Sequence, residues 1–142
     1  MTTTRTAHTT WEGNLLQGTG TVSLDSSEVG QYPVSWPSRA EEPNGKTSPE
    51  ELIAAAHSSC YSMALSNGLN QAGTPPTKLL TRAEVTFKPG EGITGIHLSV
   101  QGDVPGADEE SFRKAAEEAK ANCPVSQALS GTTISLSASL GS

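Results

Sequence analysis

The sequence is poor in aromatic side chains, has two cysteines in all, and carries neither a basic excess nor a long apolar run. Aromatics make up 4% of the 142 residues and all apolar types 34%. That is thin material for a single hydrophobic core of this length, and it hints that apolar surface is buried between subunits. No stretch of about 18 apolar residues occurs, so no transmembrane helix is expected. Nine basic residues stand against fifteen acidic ones, a formal charge of −6. This balance argues against binding to nucleic acid or to an anionic membrane. Residues 1–11 lack the apolar stretch of a secretory signal. A cytoplasmic setting is therefore expected, where thiols stay reduced and any disulfide would be transient.

The length fits one domain over residues 1–142. The first third reads as short strands and turns. Val22 and Leu24 alternate with Thr21, Ser23 and Asp25 as in a half-buried strand, and residues 31–36 suit another. Pro37, Pro43, Asn44, Gly45 and Ser48 mark residues 37–48 as a loop. A helix follows, capped by Ser48, with Pro49 in the first helical position and Glu51 completing a capping box. It should run to Gly68 or Gly73, with Leu52, Ala56, Cys60, Met63 and Asn67 on the side that packs.

Beyond it, Leu79, Thr81, Ala83, Val85 and Phe87 alternate with polar residues, and so do Ile96, Leu98 and Val100. The turn residues 89–92 between them predict a hairpin. Asp108 opens a second helix to about Lys120. Pro124 ends or bends it and can start a short third helix with Cys123 near its cap. Residues 134–140 alternate as a last strand. The order βββ–α–ββ–α–α–β predicts an α+β fold.

Cys60 and Cys123 admit three readings: a redox couple, part of a metal site, or inert packing. The reactive form of cysteine is the thiolate. Cys60 lies about twelve residues into its helix, too deep for the helix dipole to help much. A reactive Cys60 therefore needs a cation, and the preceding loop offers Arg39, with Lys46 as a second candidate. Arginine keeps its charge when desolvated and its planar fork can be fixed by a carboxylate. Glu50 can serve, because Glu51 is used by the cap. Ten residues of helix place Glu50 and Cys60 roughly 15 Å apart along the axis. Either Arg39 bridges the gap, or an antiparallel twofold-related helix brings Glu50 from a partner subunit, the arrangement favoured here. Cys123, near a helix start, suits a partner that condenses with an oxidised Cys60. His57 stands three residues before Cys60. His57, Cys60 and Cys123 could supply three zinc ligands, but no fourth ligand and no Cys-x-x-Cys pattern accompany them, so His57 reads as a packing or hydrogen-bonding residue. Trp11 and Trp36 read as core or interface anchors.

The segments Thr-Ser-Pro-Glu-Glu-Leu-Ile-Ala-Ala-Ala-His-Ser-Ser-Cys-Tyr-Ser-Met-Ala-Leu and Asn-Cys-Pro-Val-Ser-Gln-Ala-Leu together resemble the OsmC/Ohr family. His57, Met63 and the Cys-Pro-Val-Ser form are closer to its OsmC branch. The resemblance implies a thiol-dependent peroxidase acting on organic hydroperoxides, and more weakly on hydrogen peroxide, in stress defence. It implies an intertwined homodimer, with antiparallel sheets packed on two main helices and sites at the subunit interface. By position Cys60 matches the peroxidatic cysteine, Cys123 the resolving one, Glu50 the glutamate ten residues earlier and Arg39 the arginine of the preceding loop. A thiol or dithiol reductant is implied, with no cofactor, metal, nucleic acid or membrane. The rival readings are a non-enzymatic domain binding a small apolar ligand, and a Cys/His metal-binding regulatory domain.

Overall fold

Alternation in the sequence becomes two three-stranded sheets. A computed structural model describes residues 1–141. Its elements are β1 (Ala7–Glu12), β2 (Thr19–Leu24), β3 (Gln31–Val34), α1 (Trp36–Ala40), α2 (Pro49–Gln71), β4 (Lys78–Lys88), β5 (Gly92–Asp103), α3 (Glu109–Asn122), α4 (Pro124–Ala128) and β6 (Ile134–Leu140). The expected α+β order holds, with α1 added. The chain packs as two compact units that divide between Leu52 and Ile53.

In the first unit β1, β2 and β3 form an antiparallel meander, with Val22 opposite Thr9 and Tyr32. Every residue of β1 is exposed, and Val22 is the one buried apolar side chain of this unit among the described residues. The helix α1 lies where a loop is expected. Ser35 and Ser38 make a capping box that sequence alone hides, because serine replaces the usual Glu at the third position. At the start of α2 the Glu51 N–H donates to Ser48 Oγ (3.1 Å), as the cap requires. The Glu51 carboxylate instead accepts from the Thr47 hydroxyl (2.6 Å), so this box is only half formed.

In the second unit β4 and β5 form the expected antiparallel hairpin, and Gly90 and Gly92 take the positive φ values of its turn (88° and 91°). The strand β6 pairs with β5 in parallel, so this sheet is mixed rather than purely antiparallel. The connection through α3 and α4 carries the chain back to the start of β5, as a parallel crossover requires. Asp108 caps α3 through the Ser111 N–H (2.8 Å). The core joins Tyr61, Leu65 and Leu69 of α2, Leu98 and Val100 of β5, Phe112, Ala116 and Ala119 of α3, and Cys123. Each fully buried large apolar side chain here contributes about 1.5–3 kcal/mol. Gly102 lets Phe112 lie against the sheet: a Cβ there would sit 2.7 Å from the ring.

The face of α2 that packs is not the one the spacing predicts. His57, Tyr61, Leu65 and Leu69 are buried, whereas Ala56, Met63 and Asn67 are exposed and Cys60 is half-buried. Apolar and polar residues are mixed almost evenly around the helix, so its sequence carries little information about which side faces inward.

Candidate active site

Two clusters hold the predicted residues, one in each unit. In the first, the Ser38 hydroxyl in α1 donates to the Ser35 carbonyl (2.8 Å) and to the Thr47 carbonyl (3.2 Å). The Thr47 N–H in turn donates to the Pro33 carbonyl (3.0 Å). These bonds fold the loop back so that Arg39, in the last turn of α1, meets Glu50, in the first turn of α2. Arg39 Nε donates to both carboxylate oxygens (3.0 and 3.1 Å) and Nη2 to Oε2 (2.9 Å). Glu50 is 7% exposed. A nearly buried carboxylate in a two-point grip fixes both the charge and the plane of the guanidinium. Beside Arg39 lies a mainly apolar cavity of about 370 Å³, lined by Trp11, Leu15, Val22, Val34, Trp36 and Leu52 among others. Trp36 is half-buried and Trp11 is 41% exposed, its indole N–H donating to the Gly13 carbonyl.

In the second unit Cys60 of α2 and Cys123 approach to 3.2 Å between sulfurs, with both thiols free. Pro124 explains the placement of Cys123. It disfavours helical backbone at the preceding residue, and Cys123 is extended (φ −58°, ψ 123°), ending α3 and starting α4. Its N–H still closes the last turn of α3 on the Ala119 carbonyl (2.8 Å). Cys123 is fully buried. Burial pushes the Cys60 thiol up, the Val125 N–H bonded to it pulls the other way, and the neighbouring Cys123 raises it further. The balance is upward, so this local setting disfavours the thiolate. Cys60 also borders a cavity of about 710 Å³ with Met63, Ala64, Gly68, Ala115 and Pro124.

Two residues escape the sequence reading. Ser126 shares a 2.7 Å hydrogen bond with His57 Nε2, both buried. Burial lowers the His57 pKa, which favours the neutral ring. The Tyr61 hydroxyl donates to the Ala116 carbonyl (2.9 Å), tying α2 to α3 behind the thiols, and burial raises its pKa. Matching offsets are the signal that could have found Ser126: His57 precedes Cys60 by three residues and Ser126 follows Cys123 by three. Among the described residues no three His, Cys, Asp or Glu side chains converge as a metal-ligand set. No helix among them is long and apolar enough to cross a membrane.

The family model for OsmC-like proteins matches residues 42–137. The chain is 46% identical over 122 residues to Peroxiredoxin OsmC of Escherichia coli K12, covering 84% of this chain and 85% of that protein. Among solved structures, an OsmC-like protein from Mycoplasma pneumoniae superposes with a TM-score of 0.76 at 14% identity, covering 100% of both chains. An organic hydroperoxide resistance protein from Elizabethkingia anophelis gives 0.69 at 25% identity, covering 99% of both.

Proposed function

Because this chain belongs to the OsmC-like protein family, we propose that it is a cysteine-based peroxidase that reduces organic hydroperoxides at the expense of a thiol or dithiol. The observation that carries this reading is the 3.2 Å approach of Cys60 to Cys123, two thiols 63 residues apart in sequence. The peroxiredoxin name of the E. coli relative supports it.

The Cys60 thiolate attacks the terminal oxygen of ROOH, the O–O bond breaks, and the alkoxide leaves as ROH after taking a proton. Cys60 is then a sulfenic acid. The Cys123 sulfur attacks it, water leaves, and a Cys60–Cys123 disulfide protects Cys60 from further oxidation. A dithiol returns both thiols and becomes a disulfide itself. Thiolate formation needs help, because burial raises the Cys60 pKa. The guanidinium of Arg39, oriented by Glu50, is the group assigned to stabilise the thiolate and the departing alkoxide. Since Arg39 pairs with Glu50 of its own chain, a twofold partner would contribute the two residues together.

The same reading takes the whole chain as one OsmC-like domain, acting as a homodimer in the cytoplasm. Exposed Trp11 of β1 with exposed Leu15, Leu16 and Tyr32 is apolar surface suited to such a partner. Steady-state turnover of an alkyl hydroperoxide and of hydrogen peroxide, each with dithiol and monothiol reductants, tests the assignment. Faster turnover of the alkyl hydroperoxide is expected with the dithiol. A purified protein that consumes neither peroxide would refute the peroxidase reading.

A further inference from the structure

We propose that His57 and Ser126 form a positioning latch that holds Cys123 against Cys60 and so sets the rate of disulfide formation. The latch takes its biological meaning from the peroxidase reading and rests on it to that extent. As a device acting on two thiols, it can be tested without peroxide.

Two contacts tie the start of α4 to one turn of α2. Cys123 meets Cys60 sulfur to sulfur at 3.2 Å, and Ser126 Oγ bonds to His57 Nε2 at 2.7 Å. His57 and Cys60, three apart on α2, share a helix face, so the His57–Ser126 bond lies about one turn of α2 from the thiol pair. The backbone of Cys123 alone cannot supply this constraint, since it is the extended joint between two helices and α4 has no side-chain cap. Beyond the joint, Val125 packs against the core and Ser126 is held by its bond to His57.

The cost of His57 points the same way. Its ring is fully buried and its Nδ1 has no hydrogen-bond partner among the described residues. An unpaired buried polar atom is unfavourable by about 1–3 kcal/mol. An apolar side chain of similar size would fill the space without that penalty. What the imidazole adds over such a side chain is the single bond to Ser126. A disulfide needs sulfurs about 2.05 Å apart, so the thiols must close by a further ångström or so. A joint already held near that geometry reaches it more often than a free one.

Two measurements test the latch. In glutathione redox buffers the thiol pair and glutathione disulfide exchange to the protein disulfide and two glutathione thiols, which reads the effective concentration of Cys123 towards Cys60. Ser126→Ala should lower it about fivefold to tenfold, the value of one lost hydrogen bond. Ser126→Thr, which keeps the hydroxyl, should restore most of it. In stopped-flow oxidation by an alkyl hydroperoxide, Ser126→Ala should slow condensation of the sulfenic acid far more than its formation, and sulfinic acid at Cys60 should accumulate by mass spectrometry. His57→Gln provides a second way to alter the bond, with near-UV circular dichroism reporting its fold. An unchanged effective concentration in Ser126→Ala would overturn the latch, as would equal slowing of both oxidation steps. Wild-type thiols that exchange with glutathione but resist the hydroperoxide would refute the peroxidase reading and leave the latch supported by the exchange result.

Discussion

Arg39 and Glu50 bind each other inside one chain, guanidinium to carboxylate, through contacts of 3.0, 3.1 and 2.9 Å. The carboxylate is nearly buried, and in the proposed mechanism the guanidinium it orients is the cation that favours the Cys60 thiolate. Arg39→Ala should therefore move the thiol titration in a pH–rate profile to higher pH. The rate at neutral pH should fall about tenfold for every pH unit the titration moves. Glu50→Gln should give a smaller change in the same direction by loosening the guanidinium. An unchanged profile in Arg39→Ala would direct attention to Lys46.

Cys60→Ser should abolish peroxide consumption. Cys123→Ser should still react once, then accumulate sulfenic and sulfinic acid at Cys60, because the condensing thiol is gone. After one equivalent of hydroperoxide the wild-type chain should run at monomer size on a non-reducing gel and resist alkylation at both cysteines. A covalent dimer would mean that the 3.2 Å pair is not the one that closes.

His57 gives stability a pH dependence. Its folded pKa is lowered by burial, so below the ordinary imidazole value of about 6.5 the unfolded chain takes up the proton more readily. The stabilisation is present above that pH and is lost as pH falls through the unfolded pKa towards the folded one. Denaturant midpoints measured between about pH 7.5 and 5 should fall further for the wild type than for His57→Gln. Parallel curves would show that another group carries the acid limb.

Gly102→Ala places a methyl group 2.7 Å from the Phe112 ring. Overpacking of this kind should cost about 1–3 kcal/mol, read as a lower denaturant midpoint. The rate of hydroperoxide attack, measured where the variant remains folded, should change little.

Melting of the wild type should depend on protein concentration if apolar surface is buried between copies. Sedimentation at low micromolar concentration should give a dimer. A monomer with a melting point indifferent to dilution would remove the partner from the proposed mechanism.

Elements with strong local signals were legible in the sequence. Ser48 before Pro49, Asp108 before α3, the 89–92 turn and Pro124 after Cys123 each act through neighbouring backbone, and each appears where local chemistry places it. The two cysteine segments were legible for the same reason, as fixed patterns of adjacent residues. Tertiary structure alone decided three matters. It chose the buried face of α2, because a helix with apolar and polar residues mixed on every side has no preferred direction until a sheet and a second helix pack on it. It set β6 parallel to β5, which depends on the path of the crossover and not on strand alternation. It joined Ser126 to His57, 69 residues apart, because a long-range hydrogen bond forms only where packing delivers both groups and excludes the water that would otherwise satisfy them.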